Sequence, residues 1–268
     1  MPLPCPDTIA AIVADVAATE IMPRFGHLAA DEVEKKNPGD PVTIADREAE
    51  KALSRRLTDL MPGSRVVGEE AVETDAGLLD LLDGDDPVWI IDPVDGTTNF
   101  AAGLPLFATI IGLAHRSEML MACLHDPVHG KTALASAGGG ATLNGTRCRV
   151  AEPTEPQHMY GTVKLRFGER TLPEAIVRNC QKVPPFMDLR CAALEYMALA
   201  TGALHYALYR KLKPWDHAAG NLLHREAGGF SAHLDGSAYA VAGPDASHGF
   251  LYAPDEQNWA ALTETLTR

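Results

Sequence analysis

Three acidic positions stand where one stretch of chain gives way to the next. Glu69 closes Val66-Val67-Gly68-Glu69-Glu70. Asp92 and Asp95 sit three residues apart in Trp89-Ile90-Ile91-Asp92-Pro93-Val94-Asp95-Gly96-Thr97-Thr98-Asn99-Phe100, and Asp216 lies in Lys213-Pro214-Trp215-Asp216-His217-Ala218-Ala219-Gly220. Two carboxylates on so short a turn repel each other unless a cation lies between them. Hard divalent ions such as Mg²⁺ bind such oxygens, often with a backbone carbonyl, here that of Val94. Gly96 and Thr97 open a turn or helix whose N–H groups can face an anion, and the Thr97 hydroxyl can hold a water. Both segments also have plainer readings. Asp-Pro-x-Asp-Gly is a good turn, and an Asp before a run of small residues is a helix N-cap. Capping and metal binding are compatible.

Strands and helices must deliver these groups. Val88–Ile91 is a β-branched and aromatic run, a buried strand ending at Asp92, with Pro93 fixing the bend. Arg65–Gly68 is a short strand that carries Glu69. Thr43-Ile44-Ala45-Asp46 has the form of a capping box and opens a helix through Leu57 and Leu60, which Pro62-Gly63 stops. Pro6–Met22 has helical periodicity. The acidic stretch Glu73–Asp86 is a loop or short helix on a solvated surface. Further strands fall near 107–113, 119–125 and 131–136. Asn144-Gly145 marks a hairpin, and Gly138–Gly140 a turn, since no Lys-Ser/Thr follows it as a P-loop needs.

Beyond Pro153 the pattern alternates. Strands are expected at 159–164, 185–189, 204–209, 230–234 and 249–252, and helices at 172–181, 192–203, 216–227 and 256–267. The expectation is an α+β half, residues 1–150, followed by an α/β half, residues 151–268, that completes the site.

The chain has 268 residues, Lys+Arg 23 against Asp+Glu 36 and a net charge of −13. It is long enough to bury roughly three quarters of its unfolded surface. The acidic balance argues against nucleic acid polymers, which select basic faces. An anionic small molecule needs local help from placed cations, helix N-termini or metal ions. The 5 cysteines lack CxxC spacing and the 10 histidines lack zinc-ligand spacing. That fits reduced thiols in the cytoplasm. Acidic residues interrupt the apolar N-terminal stretch, so neither a secretory signal nor a membrane span is expected. The aspartates stand three apart rather than two, unlike haloacid-dehalogenase-type phosphatases, and no GxGxxG follows a strand.

Taken together, Gly68-Glu69-Glu70, Trp89–Phe100, Trp215–Gly220 through Glu226-Ala227-Gly228-Gly229, and the stretch Thr43–Lys51 resemble the signature segments of the inositol monophosphatase family. These enzymes are Mg²⁺-dependent, lithium-sensitive phosphatases. The resemblance implies a layered αβαβα sandwich of the sugar phosphatase type, a homodimer, and hydrolysis of a small phosphomonoester with two or three Mg²⁺ ions. It implies that Glu69, Asp92 and the Val94 carbonyl hold one ion, that Asp92, Asp95 and Asp216 hold a second, and that Glu69 helps a weaker third. Thr97, oriented by Asp46, activates water, and the Gly96 and Thr97 N–H groups take phosphate oxygens. Lys35 or Lys36 adds positive charge over the site, while His217 at most orients its neighbours.

The chain departs from the family in two places. Where the family reads Arg-Ser-x-Gly-Ser/Thr-Ala-Ala, this chain has Arg190 for the glycine and Cys191 for the hydroxyl. Seven residues before Asp216 it has Tyr209, where inositol phosphatases place a Glu on ring hydroxyls. With Arg210, Lys211 and Lys213, Tyr209 makes the approach basic and aromatic, suited to a second phosphate or a flat group, as in a bisphosphate, a nucleotide such as 3′-phosphoadenosine 5′-phosphate, or histidinol phosphate. Arg190 and Tyr209 are therefore expected in substrate binding. The rival expectation is a catalytically weak sensor or partner protein of the same fold that binds a phosphorylated ligand.

Overall fold

Pro6 opens the first helix, α1 (Pro6–Val16), at a position where its fixed φ helps and its missing N–H costs nothing. Ile9, Val13 and Val16 form its buried face, and the chain continues through a π turn, Ala17–Ile21. The computed structural model describes residues 2–28, 32–37, 40–164, 166–167, 170–171, 174–184, 187–242 and 249–268. The side chains of residues 35–37, 40, 166–167 and 170–171 also lie outside the description, and with them the expected role of Lys35 and Lys36.

An antiparallel ribbon, β1 (Val33–Asn37) and β2 (Asp40–Thr43), leads into α2 (Ile44–Leu60). The capping box forms as its spacing predicts: Thr43 Oγ1 accepts from the Ala45 N–H, and Asp46 accepts from the Thr43 N–H at 2.8 Å. Ala45, Ala49, Leu53 and Leu57 give α2 its buried face. Then come β3 (Arg65–Gly68), α3 (Glu69–Thr74), β4 (Val88–Asp95), α4 (Thr97–Ala101), β5 (Ala108–His115), β6 (Glu118–Asp126), β7 (Lys131–Ser136), β8 (Gly140–Leu143) and β9 (Thr146–Arg147). Strands β3 to β9 form one sheet in chain order, antiparallel except for β3 beside β4.

The C-terminal part holds β10 (Gly161–Val163), β11 (Arg166–Phe167), β12 (Arg170–Thr171), α5 (Glu174–Asn179), α6 (Ala192–Ala200), β13 (Tyr206–Tyr209), α7 (Pro214–Glu226), β14 (Phe230–His233), β15 (Phe250–Ala253) and α8 (Glu256–Thr267). Its sheet runs β10-β13-β15-β14, with β10 parallel to β13 and the other pairs antiparallel.

Three apolar cores separate the layers. One joins α1 and α2 to the larger sheet, a second puts α6 and α7 between the two sheets, and a third packs α5 and α8 on the outer face of the smaller sheet. The order is αβαβα, as the family resemblance implies. Small residues let the central layer close. A Cβ on Gly220 would lie 2.1 Å from the Tyr196 ring, and the Ala219 Cβ would sit 3.6 Å from a Cβ on Gly112.

The structure corrects several boundaries. No turn separates Asp92 from Asp95. Strand β4 runs through both, with a bulge between the Asp92–Ile110 and Asp95–Ala108 pairs. Pro93 has no N–H for the ladder, which favours such a bulge over a regular pairing. Asp216 is not an N-cap, because α7 starts two residues earlier at Pro214 and Lys213 takes that place. The strand expected at 185–189 lies partly outside the described residues, and Met187–Leu189 form none. Gly138–Gly140 form a turn whose N–H groups at Gly138 and Gly140 are taken by the Glu226 carboxylate at 2.9 and 2.8 Å.

Candidate metal and phosphate site

Four elements converge on one cavity of about 390 Å³. The end of β3 and start of α3 bring Glu69, β4 brings Asp92 and Asp95, the β4–α4 junction brings Gly96 and Thr97, and the first turn of α7 brings Asp216. One oxygen from each of Glu69, Asp92 and Asp216 falls within 4.8 Å of the others. Asp92 is buried, and its Oδ1 has no hydrogen-bond partner among the described residues. A buried carboxylate oxygen without a donor is costly. The Asp92 carboxyl is driven well above the usual carboxylate range, first by burial and then by the charges of Glu69, Asp95 and Asp216. Burial, followed by Glu69 and Asp95, raises Asp216 in the same way. A hard cation answers both problems, since it supplies the orphaned oxygen with a partner and offsets the repulsion. The all-oxygen donor set fits Mg²⁺ and lacks the nitrogen and sulfur ligands usual for zinc.

Asp95 is arranged differently. Its Oδ2 accepts the Ala193 N–H at 2.6 Å and the Cys191 thiol at 3.2 Å, so it ties β4 to the N-terminus of α6 and lies outside the tight trio. Burial raises its carboxyl to about 6 despite these bonds. The Val94 carbonyl accepts the Thr97 hydroxyl at 2.9 Å and keeps a second lone pair.

Gly96 is required by its surroundings. It has φ of +90°, and a Cβ there would lie 2.7 Å from the Leu106 carbonyl. After it, the Thr97 hydroxyl also comes within 3.1 Å of Asp46 Oδ1. Asp46 is fully buried, and burial lifts its carboxyl to about 7 against the hydrogen bonds from Thr43.

Several residues that build the site went unremarked in the sequence. Glu50, one turn beyond Asp46 on α2, accepts the Glu70 and Ala71 N–H groups at 2.8 and 2.9 Å. It thereby caps α3 and fixes Glu69. Gly68 makes room for it, since a Cβ there would lie 2.4 Å from the Glu50 carboxyl carbon. The i, i+4 spacing of two acids on the buried face of α2 is the signal that could have found it. Asn99 donates to the Leu106 and Leu189 carbonyls at 2.7 and 2.8 Å, which joins the β4–α4 junction to the 187–191 loop. Glu195, wholly buried on α6, accepts from Lys164 Nζ at 2.7 Å, from the Leu189 N–H at 2.9 Å and from the Tyr209 hydroxyl at 2.6 Å. Burial works against the Lys164 ammonium, but Glu195 and Asp188 outweigh it and hold the group charged.

Of the residues expected in substrate binding, Tyr209 and Arg190 both line the cavity. Tyr209 has committed its hydroxyl to Glu195. Arg190 is exposed, with φ of +51°. His217 also lines the cavity and engages Tyr196, with Nδ1 2.8 Å from the phenol oxygen, and burial lowers its pKa to about 3.

The chain resembles known proteins over most of its length. The sequence model of the inositol monophosphatase family matches residues 6–267. An inositol-1-monophosphatase of Rhizobium meliloti is 32% identical over 91% of this chain and 89% of its own length. A fructose-1,6-bisphosphatase/inositol-1-monophosphatase of Thermotoga maritima is 30% identical over 81% of this chain and 83% of its own. Among solved structures, the extragenic suppressor protein SuhB of Bartonella henselae superposes with a TM-score of 0.83 at 26% identity, covering 98% of both chains.

Proposed function

The chain belongs to the inositol monophosphatase family, and on that premise we propose that it hydrolyses a small phosphomonoester with Mg²⁺. The observation that carries the reading is the cluster of Glu69, Asp92 and Asp216 oxygens, with one buried Asp92 oxygen that lacks a partner among the described residues, together with a threonine hydroxyl held by a buried aspartate.

In this reading Glu69, Asp92 and the Val94 carbonyl hold one ion, and Asp92, Asp95 and Asp216 a second. Glu69 also helps hold a weaker third. Bound divalent ions make water more acidic and neutralise charge on the phosphate and on the leaving alkoxide. The protein positions the reactants around them. Thr97 accepts a hydrogen bond from the attacking water when its own proton is turned to Asp46, and Asp46 can take that proton because its carboxyl titrates near 7. The Gly96 and Thr97 N–H groups take phosphate oxygens. Asn99 and Asp95 tie the 187–191 loop and α6 to this junction, so the geometry is set before substrate arrives.

The substrate is a small phosphorylated metabolite. Tyr209, a donor already engaged by Glu195, stands where inositol phosphatases offer a carboxylate to ring hydroxyls, which favours sugar or nucleotide phosphates over inositol phosphate. Among the described residues no helix is long and apolar enough to cross a membrane.

A relative in Vibrio cholerae named Nus factor SuhB is 33% identical over 72% of this chain, which fits the partner-protein reading only loosely. Phosphate release from inositol 1-phosphate, fructose 1,6-bisphosphate, 3′-phosphoadenosine 5′-phosphate and histidinol phosphate, with Mg²⁺ and with chelator, separates the two readings. Metal-dependent turnover that Asp92→Asn abolishes supports the enzyme. No turnover by a folded, Mg²⁺-binding protein overturns it.

A further inference from the structure

We propose that Lys164 and Arg190 form a second anion subsite in this cavity, so that the substrate carries a phosphate or carboxylate besides the phosphate that is cleaved. The inference rests on the phosphatase reading above and adds a specificity determinant to it.

Lys164 follows β10, with its side chain only 15% exposed, and Nζ binds Glu195 Oε1 and Asp188 Oδ1. An ammonium has three N–H donors, so one remains for the cavity that Lys164 lines. The Asp188 oxygen that takes Lys164 also accepts the Arg190 backbone N–H at 2.8 Å. One carboxylate oxygen thus ties the buried ammonium to the turn that carries the guanidinium. That turn holds Arg190 at φ of +51°, a conformation suited to glycine, which the family uses at this place. A glycine would satisfy the backbone. What arginine adds is a cationic side chain on a residue that lines the cavity with Asp92 and Asp216.

Most of the acceptors nearby are already in use. Both Glu195 oxygens are filled, by Lys164 and the Leu189 N–H on one and by the Tyr209 hydroxyl on the other. Asp188, exposed, is paired with Lys164. Tyr209 gives its proton to Glu195. The wall therefore offers a ligand cationic donors and few acceptors, a composition that selects an anion over a neutral polyol. Lys211 and Lys213 line the same cavity and add further cationic side chains to it.

The test compares kcat/KM of the full-length protein with saturating Mg²⁺ on glycerol 2-phosphate, 3-phosphoglycerate and fructose 1,6-bisphosphate. The wild type should favour one or both doubly anionic compounds by about tenfold or more, the size expected for a charge-assisted contact. Preference for the bisphosphate alone assigns a phosphate to the subsite, and equal preference for 3-phosphoglycerate assigns a carboxylate as well. Arg190→Gly, which relaxes the backbone and so keeps the fold, should bring the preference down severalfold, mainly through KM. Lys164→Gln, which leaves a donor for Glu195, should do the same. Turnover of all three compounds at equal efficiency, or a preference untouched by both substitutions, overturns the subsite while the phosphatase reading stands. No phosphate release from any of them overturns both.

Discussion

The Thr97 hydroxyl lies 3.1 Å from Asp46 Oδ1, joining the first turn of α4 to the first turn of α2 across 51 residues of sequence. Asp46 can aim that oxygen because Oδ2 is saturated by the Thr43 N–H and hydroxyl, at 2.8 and 2.6 Å. The capping box therefore orients a carboxylate as well as starting a helix. Thr97→Val keeps the shape and removes the hydroxyl. Its kcat should fall by about 10²–10⁴ with KM little changed, while Thr97→Ser keeps most activity. Loss of kcat in Thr97→Ser with activity kept in Thr97→Val, read in steady-state assays, would show that the methyl group, not the hydroxyl, is what the site needs.

Glu50 holds the N-terminus of α3, and through it Glu69, by accepting two backbone N–H groups. In Glu50→Gln the amide NH₂ must face one of those donors. The Mg²⁺ concentration for half-maximal activity should rise about tenfold, the low end of what supporting residues contribute at metal sites. Stability should drop by about 1–3 kcal/mol as a buried N–H loses its acceptor. Mg²⁺ titrations of activity, beside urea unfolding, read the two effects separately.

Much of this arrangement was legible in the sequence because its signals are local. The capping box at Thr43–Asp46, the β-branched run before Asp92 and the glycine after Asp95 each depend on a few adjacent residues. The order of helices and strands followed from periodicity, and the layered sandwich from the family resemblance. What escaped the reading is set by long-range pairing. The bulge at Pro93 exists only against β5, and the start of α7 at Pro214 moves Asp216 from a cap into the first turn. Lys164, Glu195 and Asn99 gain their roles from partners in other elements. Nothing in their immediate neighbours marks a lysine after a strand as part of the cavity wall, or a glutamate inside an alanine-rich helix as its support.

Gly220 tests the packing of the central layer. A Cβ there would meet the Tyr196 ring at 2.1 Å, and Tyr196 is locked by its hydroxyl contacts with Tyr252 and His217, both at 2.8 Å. The ring cannot step aside without breaking them. Gly220→Ala should therefore destabilise by about 1–3 kcal/mol despite the helix propensity it gains. Urea unfolding measures it, and a neutral or stabilising result would mean that the α6–α7 contact yields.

The buried acids give stability a pH dependence that Mg²⁺ should reverse. Burial lifts Asp46 and Glu50 to about 7, and Asp92 and Asp216 well above the usual range. Their folded pKa values exceed the unfolded ones, so without metal these groups favour the fold below the unfolded pKa, and that contribution is lost as pH rises through the folded values. His217 and His224 act oppositely. Burial lowers both to about 3, so their contribution is present above the unfolded value of 6.5 and declines as pH falls toward 3. Between pH 8 and 6.5 the carboxylates dominate, and Tm in chelator should rise as pH is lowered. With saturating Mg²⁺ the ligands Asp92 and Asp216 are needed ionised, so the stabilisation by metal should shrink over that interval as protons compete for them. Thermal melts in chelator and in Mg²⁺ across the interval should converge toward the acid end. Parallel curves would show that the buried acids keep their charge without a cation.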